Sequence, residues 1–117
     1  MDTRQKVVQS LRLPHDARPV RFVLGYFDPV VAEHARVLDA VCRPGEFVVA
    51  VVDDPPEPLL DRPARLDMAA SLGAVHQVLP VDGTSELPEA QVSDLRPQHL
   101  AIRDRLMQRV RQRAGSE

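Results

Sequence analysis

Val20-Arg21-Phe22-Val23-Leu24-Gly25-Tyr26-Phe27-Asp28-Pro29-Val30-Val31-Ala32-Glu33-His34 is the stretch that decides how this chain folds. Phe22-Val23-Leu24 is a short apolar run of the kind a buried strand carries. Gly25 follows, where backbone can approach a ligand or another chain segment closely. Asp28-Pro29 then has the form of a helix start, with Asp as N-cap and Pro at the first helical position. Val30, His34, Val37, Leu38 and Val41 continue at helical spacing, and Arg43-Pro44-Gly45 ends the helix.

The pattern repeats outward from this unit. Phe47-Val48-Val49-Ala50-Val51-Val52 is continuously apolar and rich in β-branched residues, as a strand buried on both faces requires. Asp53-Asp54-Pro55-Pro56-Glu57-Pro58 is a rigid acidic loop. Residues 62–72 read as a helix with Ala64, Met68 and Leu72 on one face, and residues 75–79 as another strand. A loop is expected over 80–85, a short helix over 86–95, a short last strand over 99–102 and a helix over 104–113. At the other end, residues 3–13 fit a short amphipathic helix carrying Val7, Val8 and Leu11, broken by the stretch 14–19. Strands alternating with helices imply βαβ units and a parallel sheet. The expected architecture is a single α/β domain: an N-terminal helix and linker over 1–17, a core over 18–102 and a basic helix over 103–117.

Composition narrows the classes of function. The 117 residues are 44% hydrophobic and 27% charged, ordinary for a globular protein. A net charge of −2 argues against nucleic acid as a partner. No apolar run approaches the roughly 18 residues that span a membrane. Residues 1–6 lead into no apolar core of the signal-peptide kind. The single cysteine, Cys42, permits no internal disulfide, so a reducing, cytoplasmic setting is expected. Cys42 sits on an apolar helix face, where packing is its expected role.

Ligands of open α/β sheets bind beyond the carboxyl ends of the strands. That edge collects residues 25–34, Asp53-Asp54 and the loop after Leu79. A helix opening there aims free N–H groups and the positive end of its dipole at the same place, which suits a phosphate. His15, His76 and His99 are too scattered to form a metal site and are assigned no role.

Gly25 to His34 resembles the signature G-x-F-D-x-x-H-x-G-H of the cytidylyltransferase-like nucleotidyltransferases, a family that includes glycerol-phosphate cytidylyltransferase and heptose-phosphate adenylyltransferase domains. Residues 47–54 look like that family's second strand, which ends in an Asp. Arg65, Leu72, Val75 and Val78 fall in register with its R-x-x-x-x-x-x-L-x-x-V-x-x-V helix and strand. Leu95-Arg96-Pro97-Gln98-His99-Leu100 is similar to its L-x-P-D-x-L. The resemblance covers roughly residues 18–102. It implies a three-layer, Rossmann-like nucleotidyltransferase fold of the HUP type, with a parallel sheet of about four strands, shortened at its C-terminal end, and a homodimer. It also implies transfer of a nucleotidyl group from a nucleoside triphosphate to a small phosphorylated alcohol or sugar, with release of pyrophosphate and with Mg²⁺ accompanying the nucleotide. Gly25, Tyr26, Phe27, Asp28, His34, Asp54 and Arg65 would then bind the nucleotide, and His34 would act in catalysis.

Four departures bear on that activity. Val31 stands in place of the first histidine and has no hydrogen to donate. Glu33 stands in place of glycine and puts a carboxylate where a triphosphate should dock. The lysines that follow the second strand in relatives are replaced by Pro55-Pro56-Glu57-Pro58, and the late I-S-[ST]-[ST] segment is absent. Two functions remain open: a nucleotidyltransferase with weak or no activity, and a non-catalytic nucleotide-binding or dimerisation module that kept the fold. A receiver-like or flavodoxin-like domain is disfavoured, because the first strand ends at Gly25-Tyr26 and the third at Leu79-Pro80. The last helix carries Arg105, Arg109 and Arg113 on one face at i, i+4 spacing. It reads either as a solvated helix or as one that meets the acidic loop of a second subunit, with Leu106 and Val110 as its apolar seam.

Overall fold

A computed structural model describes residues 3–83 and 87–115. Four parallel strands, β1 (Val20–Gly25), β2 (Phe47–Val52), β3 (Gln77–Pro80) and β4 (Val92–Asp94), form one sheet in the order β3-β2-β1-β4. The helices are α1 (Ala32–Val41), α2 (Arg62–Ala70) and α3 (Arg96–Gly115). The register runs from Val20↔Phe47 to Gly25↔Val52, and Leu24 pairs with Asp94. The chain moves outward from β1 to β2 to β3, then returns past β1 to β4. This reversal makes the carboxyl end of β1 the switch point of the sheet, the place where open α/β folds bind ligands. The fold is α/β and Rossmann-like, as expected.

The two sheet faces are covered differently. Val23, Val48, Ala50, Val52 and Val78 meet Leu38 of α1 and Ala69 and Ala70 of α2 in the main core. Phe22, Val49, Val51 and Leu79 on the other face meet Val8, Leu11, Val81 and Leu87. That third layer is built from the N-terminal segment and the chain between β3 and β4, whose described residues hold only short 3-10 turns. No helix among the described residues is long and apolar enough to cross a membrane.

Local chemistry explains the element ends. Asp61 caps α2, its carboxylate accepting the Ala64 N–H at 3.0 Å, with Pro63 in the first turn. Gly45, at φ +84, makes the left-handed turn after α1 that a side chain would resist.

The structure corrects several expectations. Residues 3–13 are not a helix. A 3-10 turn covers Thr3–Lys6, after which Val7 bridges Val78 and the Val8 N–H donates to the Val78 carbonyl at 2.9 Å. An eleven-residue helix is marginal alone, and the open edge of β3 offers the backbone better partners. The α1 helix does not begin at Asp28-Pro29. Its N-cap is Val31, and residues 27–31 form a turn in which Phe27 takes φ +54 and the Asp28–Pro29 peptide is cis.

The last strand and the helix before it exchange places. Val92–Asp94 is strand where helix was expected, and residues 99–102 lie inside α3. Residues 84–86, which include part of the expected loop and the first residue of the expected 86–95 helix, lie outside the described residues. The reason lies in burial: Leu95, His99 and Ile102 are buried at i, i+4, i+7, a helical stripe. Pro97 suits a helix's first turn, and the Asp94 carboxylate accepts the Arg96 N–H at 3.0 Å. The basic helix expected over 104–113 is the distal part of this one helix of 20 residues. Its end is mostly exposed, which draws the molecule out to 56 × 30 × 25 Å.

Candidate functional site

The turn after β1 is held by a side chain from 73 residues downstream. His99 of α3 points its Nδ1 at the backbone, accepting the N–H of Tyr26 at 3.0 Å and of Phe27 at 3.4 Å. Its ring lies directly over Gly25: a Cβ there would overlap His99 Cε1 and come within 2.6 Å of Nδ1. The same ring meets Phe27 edge-on at 4.7 Å between centroids and His34 at 4.6 Å. His34 in turn accepts the Val31 N–H on its own Nδ1 at 3.0 Å. Valine cannot cap a helix, so the third residue of α1 reaches back and does it. Gly25, Tyr26, Phe27 and His34 therefore converge at the switch point, around an imidazole that sequence spacing assigned nothing.

Asp28 has a different task from the expected cap. Its carboxylate is buried and accepts the N–H groups of Leu59 at 2.8 Å and Leu60 at 2.7 Å. Arg103 of α3 completes the latch, 3.3 Å from the Asp28 carboxylate and 2.9 Å from the Pro56 carbonyl. Three segments distant in sequence are thus joined at one carboxylate.

Arg65 and Asp54 lie one strand over, at the end of β2. Arg65 is buried, and its nitrogens donate to the Leu60 carbonyl, the Asp53 carbonyl and the Asp54 carboxylate at 3.2, 2.8 and 2.9 Å. Arg62 bridges Asp54 at 2.6 Å and Asp82 at 2.9 Å. Arg96 bridges Asp53 at 3.0 Å and Asp94 at 2.9 Å. The ligand edge is laced with arginine–aspartate pairs. Hydrogen bonds from Arg62 and Arg65 hold the Asp54 carboxyl below its ordinary range, and one from Arg96 does so for Asp94.

Glu33, in the first turn of α1, is also paired. Arg105 reaches it at 2.5 Å and Arg109 at 3.4 Å, and the Arg105 hydrogen bond lowers its pKa. The basic helix finds acidic partners in the chain's own Glu33 and Asp28. Leu106 is half-buried, while Val110 is 52% exposed.

Mg²⁺ does not fit the carboxylates present. Asp53 and Asp54 are already neutralised by Arg96, Arg62 and Arg65, and these guanidinium groups repel a cation. Among the described residues no cluster of three His, Cys, Asp or Glu can hold a metal. A cleft of about 260 Å³ opens between α3 and the 57–59 loop, bounded by Leu59, Arg103 and Met107, and neither imidazole lines it. Cys42 lies at the opposite end of the sheet, where burial raises its thiol pKa and keeps it protonated.

Both imidazoles are neutral at pH 7. Burial lowers the pKa of His34 and pushes that of His99 down to about 3, with the nearby His34 adding to the effect and Asp94 opposing it. The unfolded chain takes up these protons near pH 6.5, whereas folded His99 takes up its own only near 3. Protons therefore favour unfolding across that window. The stability tied to neutral His99 is complete above pH 6.5 and falls as the pH drops toward 3. At about 1.4 kcal/mol per unit, urea denaturation at pH 4.5 should show a loss on the order of 3 kcal/mol relative to pH 7. His99→Asn should flatten this dependence. Equal stability at the two pH values would mean that the imidazole is not held neutral by the fold.

Of the residues that decide this site, sequence reasoning missed His99, Arg96 and Arg103. All three belong to α3, and the spacing of Leu95, His99 and Ile102 at i, i+4 and i+7 is the signal that could have found that helix. No protein-family model matches this sequence, and neither a curated protein nor a solved structure matches it.

Proposed function

We propose that this chain is a nucleotidyltransferase-like domain whose ligand edge binds a nucleotide or another small phosphorylated compound, with nucleotidyl transfer slow or lost. The observation that carries this reading is the convergence of Gly25, Tyr26, Phe27 and His34 with His99 at the switch point of a parallel sheet. Slow transfer follows from the same residues. Val31 offers no donor to charge developing on a transferred phosphate, and one lost donor of this kind costs about 10²–10³ in rate. Glu33 sits in the first turn of α1, and its pairing with Arg105 and Arg109 ties up cations that a triphosphate would need.

A second reading, a binding or dimerisation module without chemistry, is favoured by one observation. The Tyr26 and Phe27 N–H groups already have a partner in His99. Thermal unfolding with ATP, CTP, GTP, UTP and their monophosphates tests both. A ligand at a hundred times its Kd adds about 2.7 kcal/mol, a rise in Tm on the order of 10 °C here. We expect such a rise, lost in His34→Ala, with little pyrophosphate released. Val31→His combined with Glu33→Gly should increase pyrophosphate release. If no nucleotide raises the Tm, the ligand edge has been kept for something else and the second reading stands.

A further inference from the structure

The geometry points to a two-imidazole clamp, His34 with His99, that holds one phosphoryl group and takes phosphomonoesters such as nucleoside monophosphates in preference to triphosphates. It rests on the ligand-edge reading above and specifies which group the edge grips.

The tautomers follow from the hydrogen bonds. Each Nδ1 accepts a backbone N–H, so in the neutral ring the proton sits on Nε2. Among the described residues neither Nε2 has a hydrogen-bond partner. Among the described residues no buried side-chain nitrogen or oxygen lacks a partner, so each Nε2–H must reach solvent although both residues are only 3% exposed. Two rings 4.6 Å apart, each locked by its other nitrogen, thus carry a free Nε2–H donor each, one of them on the first turn of α1. Packing against Phe27 and a fixed tautomer remove the entropy that free side chains would lose on binding.

Charge selects the ligand. Arg62, Arg65, Arg96, Arg103, Arg105 and Arg109 are each paired with a carboxylate. Asp94 and Glu33 stand near the two imidazoles. A triphosphate would bring several negative charges to an edge whose cations are engaged and whose nearest charged groups include carboxylates. A single phosphoryl group needs only a pair of neutral donors and the helix dipole. His99 gives from α3 the hydrogen bond that Val31 cannot give from α1.

Imidazole ¹⁵N–¹H correlation spectra of the full chain test this, with sodium phosphate titrated against sodium chloride at equal ionic strength, then AMP and ATP. The Nε2 signals of His34 and His99 should move and saturate, while those of His15 and His76 stay. His76 is an internal control, because its Nδ1 also accepts a backbone N–H, from Val48, at the other end of the sheet. His99→Asn keeps an acceptor where Nδ1 was and leaves nothing at Nε2. It should stay folded and bind phosphate and AMP at least tenfold more weakly. His99→Gln, whose amide reaches the Nε2 position, should recover part of the loss. AMP binding that is unchanged in His99→Asn, or that leaves both imidazoles unmoved, overturns the clamp while the ligand-edge reading survives. ATP binding more tightly than AMP overturns the preference for phosphomonoesters. Failure of phosphate and every nucleotide to bind overturns the edge reading and the clamp together. Should His99→Asn fail to fold, the wild-type spectra decide alone.

Discussion

Replacing Gly25 by alanine should destabilise the fold by about 3–6 kcal/mol, a large share of what a domain of this size has. The backbone of Gly25 asks for no special conformation; the obstacle is His99. A Cβ would overlap Cε1 of that ring and lie 2.6 Å from Nδ1 and 3.1 Å from the edge of Phe27. The ring cannot swing aside at little cost, because it is packed between Phe27 and His34 and receives two backbone N–H groups. Moving it leaves those donors buried without a partner, at about 1–3 kcal/mol each. Urea denaturation of Gly25→Ala and of Gly25→Ala with His99→Ala checks this. The double variant should be more stable than the sum of the two single losses predicts, because without the ring the Cβ at position 25 has nothing to strike. A single variant within about 1 kcal/mol of wild type would mean that the ring is not seated on Gly25.

Asp28→Ala carries the second large effect, about 3–5 kcal/mol, the usual cost of breaking a buried ion pair from one side. The Leu59 and Leu60 N–H groups lose their acceptor, and Arg103 keeps only the carbonyls of Pro56 and Glu57. Location separates this from the loss of a helix cap. A cap is worth about 1 kcal/mol and its removal frays the helix it caps. Here hydrogen exchange should quicken at Leu59 and Leu60 and in the first turns of α3, with α1 little changed. A loss near 1 kcal/mol with fraying confined to α1 would restore the capping role.

Both effects share a cause: α3 is the strap that closes the ligand edge. Arg96 ties it to Asp53, His99 to the Tyr26–Phe27 turn, Arg103 to Asp28, and Arg105 and Arg109 to Glu33. These contacts run along one helix from its first turn to its middle. Any ligand of this edge is therefore read partly by a helix that lies outside the three strands and two helices of the first βαβ units. The segment Leu95–Leu100 carries His99 itself, but read in one dimension it gives no sign of which backbone its imidazole meets.

The α/β class, the central strands and the first two helices were determined by the sequence alone. The signal in β2 is not subtle: Val48, Val49, Ala50, Val51 and Val52 are apolar without interruption, and all are buried between two layers. The helical spacing of His34 and Leu38 and the stop at Gly45 are local signals that operate within a few residues, so they survive in a one-dimensional reading. The placement of Gly25, Tyr26, Phe27 and His34 at one edge followed from topology that alternation of strand and helix implies. Only the tertiary structure decided what Asp28, Arg65 and His99 do. Asp28 has the local form of a cap, yet its carboxylate finds two N–H groups and a guanidinium from segments 31 to 75 residues away. His99 sits in a segment whose apolar run fits a strand as well as a helix. It becomes helical because Leu95, His99 and Ile102 bury on one face. Periodicity reports which way a side chain faces. The partner it meets there is set by packing across the whole chain, and a charged or imidazole group gives its hydrogen bonds to whatever that packing brings within about 3 Å.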